Sequence, residues 1–182
     1  MSTIALIGFG EAGQAFAAGW KTVASAWDSL RVSTFDVKSR DDLLRPSLLD
    51  ACNRFGVRNA ESPWEALRGS DVVFSLVTAD RALEVAISVA SAIEPGSLYL
   101  DCNSCAPSNK EAAAKIIEEA GGRYVDVAVM APVHPARHRT PLLIAGSHAG
   151  KALGILEDLG MNAQIAGDRI GQASSIKMLR SV

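Results

Sequence analysis

Thr3-Ile4-Ala5-Leu6-Ile7 is an unbroken apolar run, and Gly8-Phe9-Gly10-Glu11-Ala12-Gly13 follows it at once. Gln14-Ala15-Phe16-Ala17-Ala18 then turns to a helical pattern. Strand, glycine loop and helix in this order commit the start of the chain to a βα unit whose loop suits a dinucleotide. Gly8 permits the tight turn, Gly10 leaves the backbone open to a pyrophosphate, and Gly13 lets helix and strand pack closely. The helix that follows offers N–H groups and a positive dipole end to phosphate. A GxGxxG pattern alone is a weak signal. Here its flanks are right and Met1 stands directly before the strand. Gly8, Phe9, Gly10, Glu11, Ala12 and Gly13 are the first candidates for cofactor contact.

The alternation continues along the chain. Arg31 to Phe35 reads as a second strand ending at Asp36, Asp41 to Phe55 as a helix, and Val57-Arg58 as a short strand. Ser62-Pro63-Trp64-Glu65 is a helix start with a Ser cap, Pro at the first helical position and a Glu placed to bond back. Val72 to Val77 reads as a strand buried on both faces. A helix over Arg81 to Ile93, a turn at Pro95-Gly96 and a strand at Ser97 to Asp101 follow. Pro107 opens a helix to Ala120, closed by Gly121-Gly122. Strands at Tyr124 to Val129 and Leu142 to Ala145, a helix around Lys151 to Leu159 and a strand at Ala163 to Ile165 come next. Residues 171 to 182 read as the first turns of a helix. This order predicts a doubly wound α/β fold, a mostly parallel sheet with helices on both faces and right-handed crossovers.

Composition excludes several classes. A chain of 182 residues, 48% apolar, is long enough for one well-filled domain. A formal net charge of -2 gives no case for nucleic acid or an anionic membrane. The apolar runs fall short of a membrane span, and no basic segment leads into a signal-like core. Three cysteines, an odd number, argue against a secreted disulfide framework. The chain reads as cytoplasmic.

Asp36 is the second cofactor candidate. A carboxylate at the end of the second strand can accept from both hydroxyls of an adenine ribose and repels a 2′-phosphate, which favours NAD over NADP. Lys38 and Arg40 follow closely and could hold a 2′-phosphate, so NADP stays possible. A reading of another class comes from Cys102-x-x-Cys105. A CxxC at a strand-to-helix turn can be a redox pair, and with His134 and His138 it has a Cys2His2 composition for zinc. Against it, the two histidines flank Pro135 in a loop. Cys52 reads as a small buried apolar residue, and His148 as a surface residue.

Four blocks resemble the β-hydroxyacid dehydrogenases, the family that includes 3-hydroxyisobutyrate, tartronate-semialdehyde and 6-phosphogluconate dehydrogenases. Gly8 to Gly13 matches the family's opening motif. Asp71 to Val77 matches its fourth-strand block, after which the loop passes the nicotinamide side of the cofactor and places Val77 and Thr78 there. Asp101-Cys102-Asn103-Ser104-Cys105-Ala106-Pro107 resembles its substrate-binding block. Gly171-Gln172-Ala173-Ser174-Ser175-Ile176-Lys177 resembles its catalytic-lysine block. The wording is nearest to a phosphogluconate-dehydrogenase-like subgroup of bacteria and archaea.

The resemblance implies a Rossmann-type NAD-binding domain over 1–169, with 170–182 starting an interdomain helix. It implies hydride transfer between nicotinamide and a hydroxycarboxylate. Lys177 would be the general acid/base, since a lysine in a dry cleft can shift toward neutrality. Ser104 would bind the substrate carboxylate, and Asn103 the substrate or the nicotinamide ribose. An exposed helix lysine, an ordinary turn and a helix cap are the plain alternatives for these residues. Two departures bear on the substrate. Where the family has Asp-Ala-Pro-Val-Ser-Gly-Gly, this chain has Asp126-Val127-Ala128-Val129-Met130-Ala131-Pro132. Ala131 then stands at a substrate position, and Pro132 has no N–H to donate. The asparagine that follows the lysine in the family is Ser181 here, with Arg180 beside it.

In the family the last helix leads into an all-helical domain that closes the site and carries the homodimer interface. The sequence ends at Val182, so the chain by itself is expected to bind cofactor without forming a closed, active site. An exposed Ile176/Leu179 stripe is expected on the last helix. A dinucleotide sensor that turns nothing over is the second function compatible with these residues.

Overall fold

The computed structural model describes residues 2–23 and 30–180. Among the described residues eight strands form one sheet in the order β3-β2-β1-β4-β5-β6-β7-β8. Their ranges are β1 Ser2–Ile7, β2 Leu30–Phe35, β3 Arg58–Asn59, β4 Val72–Ser75, β5 Leu98–Asp101, β6 Arg123–Val129, β7 Leu142–Ala145 and β8 Ala163–Gly167. All neighbours pair in parallel except β6 with β7. The helices are α1 Glu11–Trp20, α2 Arg45–Phe55, α3 Pro63–Leu67, α4 Ala82–Ala90, α5 Pro107–Glu119, α6 Ala149–Asp158 and α7 Gln172–Arg180. This is the doubly wound, mostly parallel architecture that the alternation predicts.

Parallel strands covered on both faces must be apolar on both faces, and β1 shows how the sequence meets this. Ile4 and Leu6 point into one core with Phe16 and Trp20 of α1 and Leu156 of α6. Ala5 and Ile7 point into the other, with Leu67 of α3, Ala86 of α4 and Ile117 of α5. On the first face Trp20, Phe16 and Phe74 pack ring against ring, with Trp20 and Phe74 centroids 5.4 Å apart.

Local signals set most boundaries. Ser62 Oγ accepts from Glu65 N at 3.2 Å, and Glu65 Oε2 accepts from Glu61 N at 2.9 Å, so the start of α3 is closed as its sequence requires. Several expected boundaries shift by one or more residues. The helix expected from Asp41 begins at Arg45, because the Asp41 carboxylate accepts from Leu43 N and Leu44 N and holds a turn there. The strand placed at Val57-Arg58 is Arg58–Asn59. The fourth strand ends at Ser75, since Val77 N donates to the Asn103 side chain and leaves the ladder. The following helix ends at Ala90.

The last helix packs on β6, β7 and β8 through Ala173 and Ser174, which are buried. Leu179 on it is 78% exposed, as expected, while Ile176 is half-buried. Among the described residues no helix is long and apolar enough to cross a membrane.

Candidate functional site

The strand order reverses between β1 and β4, and the loops leaving the carboxyl ends of β1, β2, β4 and β5 meet at that switch point. In open α/β sheets this is where ligands bind. The glycine loop leaves β1. Gly8 has φ +94°, and a Cβ on it would overlap the Leu76 carbonyl oxygen, so glycine is required by the fold itself. A Cβ on Gly13 would stand 3.0 Å from the Gly8 oxygen, where α1 crosses the strand. Gly10 differs: a Cβ there meets nothing within 4 Å. It is also the N-cap of α1 and supplies no side-chain cap. The backbone at Gly10 and the first turn of α1 therefore form an open cradle with helix N–H groups beside it, which fits a pyrophosphate. Glu11 is exposed in that first turn, next to Ala12. Phe9 points the other way, fully buried and edge-on to Phe55.

Asp36 directly follows β2 and is 7% exposed. Its Oδ2 accepts from Phe9 N at 2.7 Å and its Oδ1 from Lys38 N at 2.9 Å. The carboxylate thus ties the glycine loop to the second strand, a structural duty that its position in the sequence did not reveal. Of the two cations that could oppose it, Arg40 lies over the Phe35 ring at 5.1 Å. Thr78 is exposed and Val77 half-buried on the loop after β4.

A cavity of about 350 Å³ opens beside these loops, lined by residues from the β5–α5 loop, Ala128 of β6, and Ser174, Lys177 and Met178 of α7. Lys177 Nζ donates to Ser104 Oγ at 2.7 Å. The two residues are far apart in sequence, and the fold brings them together. Burial, and then the Lys110 ammonium, hold the Lys177 pKa below the ordinary lysine value. Asn103 lines the same cavity, but its amide turns inward. Nδ2 donates to Ser75 Oγ and Asp101 Oδ1, and Oδ1 accepts from Val77 N. It joins the loop after β4 to the loop after β5. Ala131 is exposed beyond the end of β6 and is not among the residues lining the cavity; Ala128 stands there instead. Ser181 lies outside the described residues.

Beneath the cavity is a buried ionic cluster that the sequence reading missed. Lys110 has no exposed surface, and its Nζ lies 3.1 Å from Asp101 Oδ1 and 3.4 Å from Asp126 Oδ1. A lysine and two aspartates on separate elements have no spacing that announces their meeting. The one available clue is an Asp within each of two predicted core strands.

Cys102 and Cys105 are free and buried, which disfavours a redox pair. Burial pushes the Cys102 thiol up to about 12 and raises that of Cys105, whereas exchange needs a lowered one. Cys52 is buried with a thiol pushed up to about 11. His134 is exposed while His138 is buried against Gly19 of α1. Among the described residues no group of three or more His, Cys, Asp or Glu side chains could hold a metal ion. The zinc reading therefore has no ligand set.

The model of the NAD binding domain of 6-phosphogluconate dehydrogenase matches residues 3–167. The chain belongs to that family. It is an NAD-binding domain, and the family includes NAD-dependent dehydrogenases. A conserved hypothetical protein from Sinorhizobium meliloti 1021 has the same structure at TM-score 0.92, with 36% identity over 100% of this chain and 59% of its own. The NAD-dependent L-serine dehydrogenase of Pseudomonas aeruginosa is 29% identical over 138 residues, 71% of this chain and 46% of that protein. The 3-hydroxyisobutyrate dehydrogenase of Mycobacterium tuberculosis, solved with L-serine, shares the fold at TM-score 0.83 and 22% identity, over 99% of this chain and 59% of that one. The chain thus spans less than two thirds of the length of each of these relatives.

Proposed function

We propose that this domain serves an NAD-dependent oxidation of a 3-hydroxy acid, with Lys177 as general acid/base and Ser104 as the carboxylate ligand. The observation that carries the reading is the 2.7 Å bond between Lys177 Nζ and Ser104 Oγ at a cavity on the ligand-binding edge of the sheet. Lys177 is held below the ordinary lysine range, so more of it is neutral near pH 7 and able to take a proton from a substrate hydroxyl. Ser104 accepts from Lys177 through oxygen, which leaves its hydroxyl hydrogen for a substrate carboxylate. NAD, when bound, supplies the hydride acceptor. Gly8, Gly10, Glu11, Ala12 and Gly13 would hold its pyrophosphate and Asp36 its adenine ribose. Phe9 and Asn103 would hold the shape of the loops, and Val77 and Thr78 would border the nicotinamide end.

The name of the Pseudomonas relative makes L-serine, itself a 3-hydroxy acid, the first substrate to assay. The substrate loop at Met130-Ala131-Pro132 and the positions from Ser181 onward would set its identity. The 170–182 segment would begin the connection to a second domain, through which the protein would dimerise. The test is turnover of a panel of 3-hydroxy acids with NAD by the full-length protein and its Lys177→Ala variant. The expected result is activity that falls about 100-fold or more in the variant while NADH affinity is kept. Equal turnover by the variant would overturn the role of Lys177. NADH binding with no turnover of any substrate would leave dinucleotide sensing as the function.

A further inference from the structure

Lys110 stands in the second turn of α5, facing into the protein with no exposed surface. Burying an ammonium costs several kcal/mol unless it is both paired and hydrogen-bonded. Lys110 meets both conditions: its Nζ donates to the Asp101 carbonyl at 2.6 Å and to Asp101 Oδ1 at 3.1 Å, and Asp126 Oδ1 lies 3.4 Å away. Burial lowers its pKa, but the two aspartates more than offset this and keep it charged. Well-packed apolar residues in place of a buried ionic cluster are often as stable or more so. Stability is therefore a weak reason for the cluster, and what the carboxylates hold suggests a stronger one.

Asp101 Oδ1 also accepts from Asn103 N and Nδ2, which fixes the loop that carries Ser104. Asp126 accepts from Gly171 N and Ser174 N at 3.1 Å each and from Ser174 Oγ at 2.6 Å. These contacts pin the first turn of α7 to β6, and Lys177 is one turn further along the same helix. One ammonium therefore joins the two carboxylates that hold the two elements whose side chains meet at the cavity.

We propose that Lys110 is a positioning residue for Lys177: by bridging Asp101 and Asp126 it locks the Ser104 loop to the start of α7 and sets the placement and the local potential of the Lys177 amine. The proposal rests on the reading of Lys177 as the acid/base, and its test does not use turnover. Around the cavity floor and the start of α7, the titratable groups among the described residues are Tyr99, Asp101, Cys102 and Cys105 from β5 and its loop, Lys110 and Glu111 from α5, and Tyr124 and Asp126 from β6. The described segments of β7 and β8 bring none. Arg180 lies one turn beyond Lys177 on α7. Tyr124 Oη donates to Asp101, and its own ionisation is pushed far up by burial, so it stays neutral. Removing the Lys110 charge leaves two carboxylates to draw a proton toward Lys177, or lets them share one and loosens the clamp. Either way the Lys177 amine moves back toward an ordinary lysine.

The experiment is trace acetylation of the chain across pH, read for each lysine by peptide mass spectrometry, with exposed Lys115 as the internal reference. In the parent protein Lys177 is expected to reach half-reactivity at lower pH than Lys115. In Lys110→Met its midpoint is expected to rise by about one pH unit, with Lys115 unmoved. Ser174→Ala deletes one hydroxyl and no charge, and is expected to shift Lys177 the same way by loosening α7. Lys177 curves that match the parent in a folded Lys110→Met protein overturn the proposal. If that variant does not fold, an unshifted Lys177 in Ser174→Ala overturns it. Shifts as expected alongside undiminished turnover by Lys177→Ala would uphold the positioning effect and remove the catalytic role instead.

Discussion

A methyl group added at Gly8 and at Gly10 separates what the glycine loop does for the fold from what it does for a ligand. At Gly8 the added carbon meets the Leu76 carbonyl in a left-handed conformation that side chains avoid. Gly8→Ala is expected to destabilise the protein by about 1–3 kcal/mol, visible as a lower melting temperature. At Gly10 the carbon enters open space with the backbone at φ -79°. Gly10→Ala is expected to melt with the parent and yet bind NADH more weakly, because the side chain occupies the approach to the α1 N-terminus. Melting curves and nicotinamide fluorescence on both variants check the pair. Equal NADH affinity in Gly10→Ala would remove the pyrophosphate from that spot.

At the same scale, His138 gives the molecule an acid limit. It is 5% exposed, and Nδ1 has no hydrogen-bond partner among the described residues. Burial, then Arg139 and Arg137, lower its pKa from 6.5. The unfolded chain therefore binds the proton more readily. The stability from neutral His138 is complete above about pH 6.5 and is lost as pH falls through the lower folded value. Urea unfolding at a series of pH values should show this slope, and His138→Gln should flatten it. Parallel slopes in the two proteins would exclude His138 as the source.

Among the elements, α7 depends on another strand for its start. Asp126 of β6 takes Gly171 N and Ser174 N from outside the helix. A carboxylate at a helix N-terminus also meets the positive end of the dipole. Asp126→Asn puts an amide donor where an acceptor stood and leaves Lys110 with one carboxylate. Breaking a buried pair in this way costs about 3 kcal/mol or more. The loss should be local first: amide exchange in α7 should quicken well before that in α1, whose Phe16 and Trp20 are held by the aromatic cluster on the other side of β1. Uniform exchange across both helices would show instead that Asp126 supports the whole sheet.

For the molecule as a whole, the layer order was legible because each strand and helix announces itself locally. The run Thr3 to Ile7, the Ser62 box and the Gly121 stop are short-range signals. The direction of β7, antiparallel to β6, was not, since nothing in Leu142 to Ala145 records which way its neighbour runs. The site divides in the same way. The glycine loop, Asp36, Ser104 and Lys177 could be picked out by motif. The inward turn of Asn103, the second duty of Asp36 and the Lys110 cluster arise from contacts between distant segments. That second duty changes what a cofactor titration must show. The Asp36 carboxylate, the proposed ribose ligand, also anchors Phe9 N. Asp36→Ala should therefore weaken NADH and NADPH together, and NADH by the larger factor, so that any preference disappears. The parent chain should prefer NADH. With Arg40 laid on Phe35, Lys38 is the cation to test for a 2′-phosphate, so a parent that prefers NADPH, and loses that preference in Lys38→Ala, would transfer ribose recognition from Asp36 to Lys38.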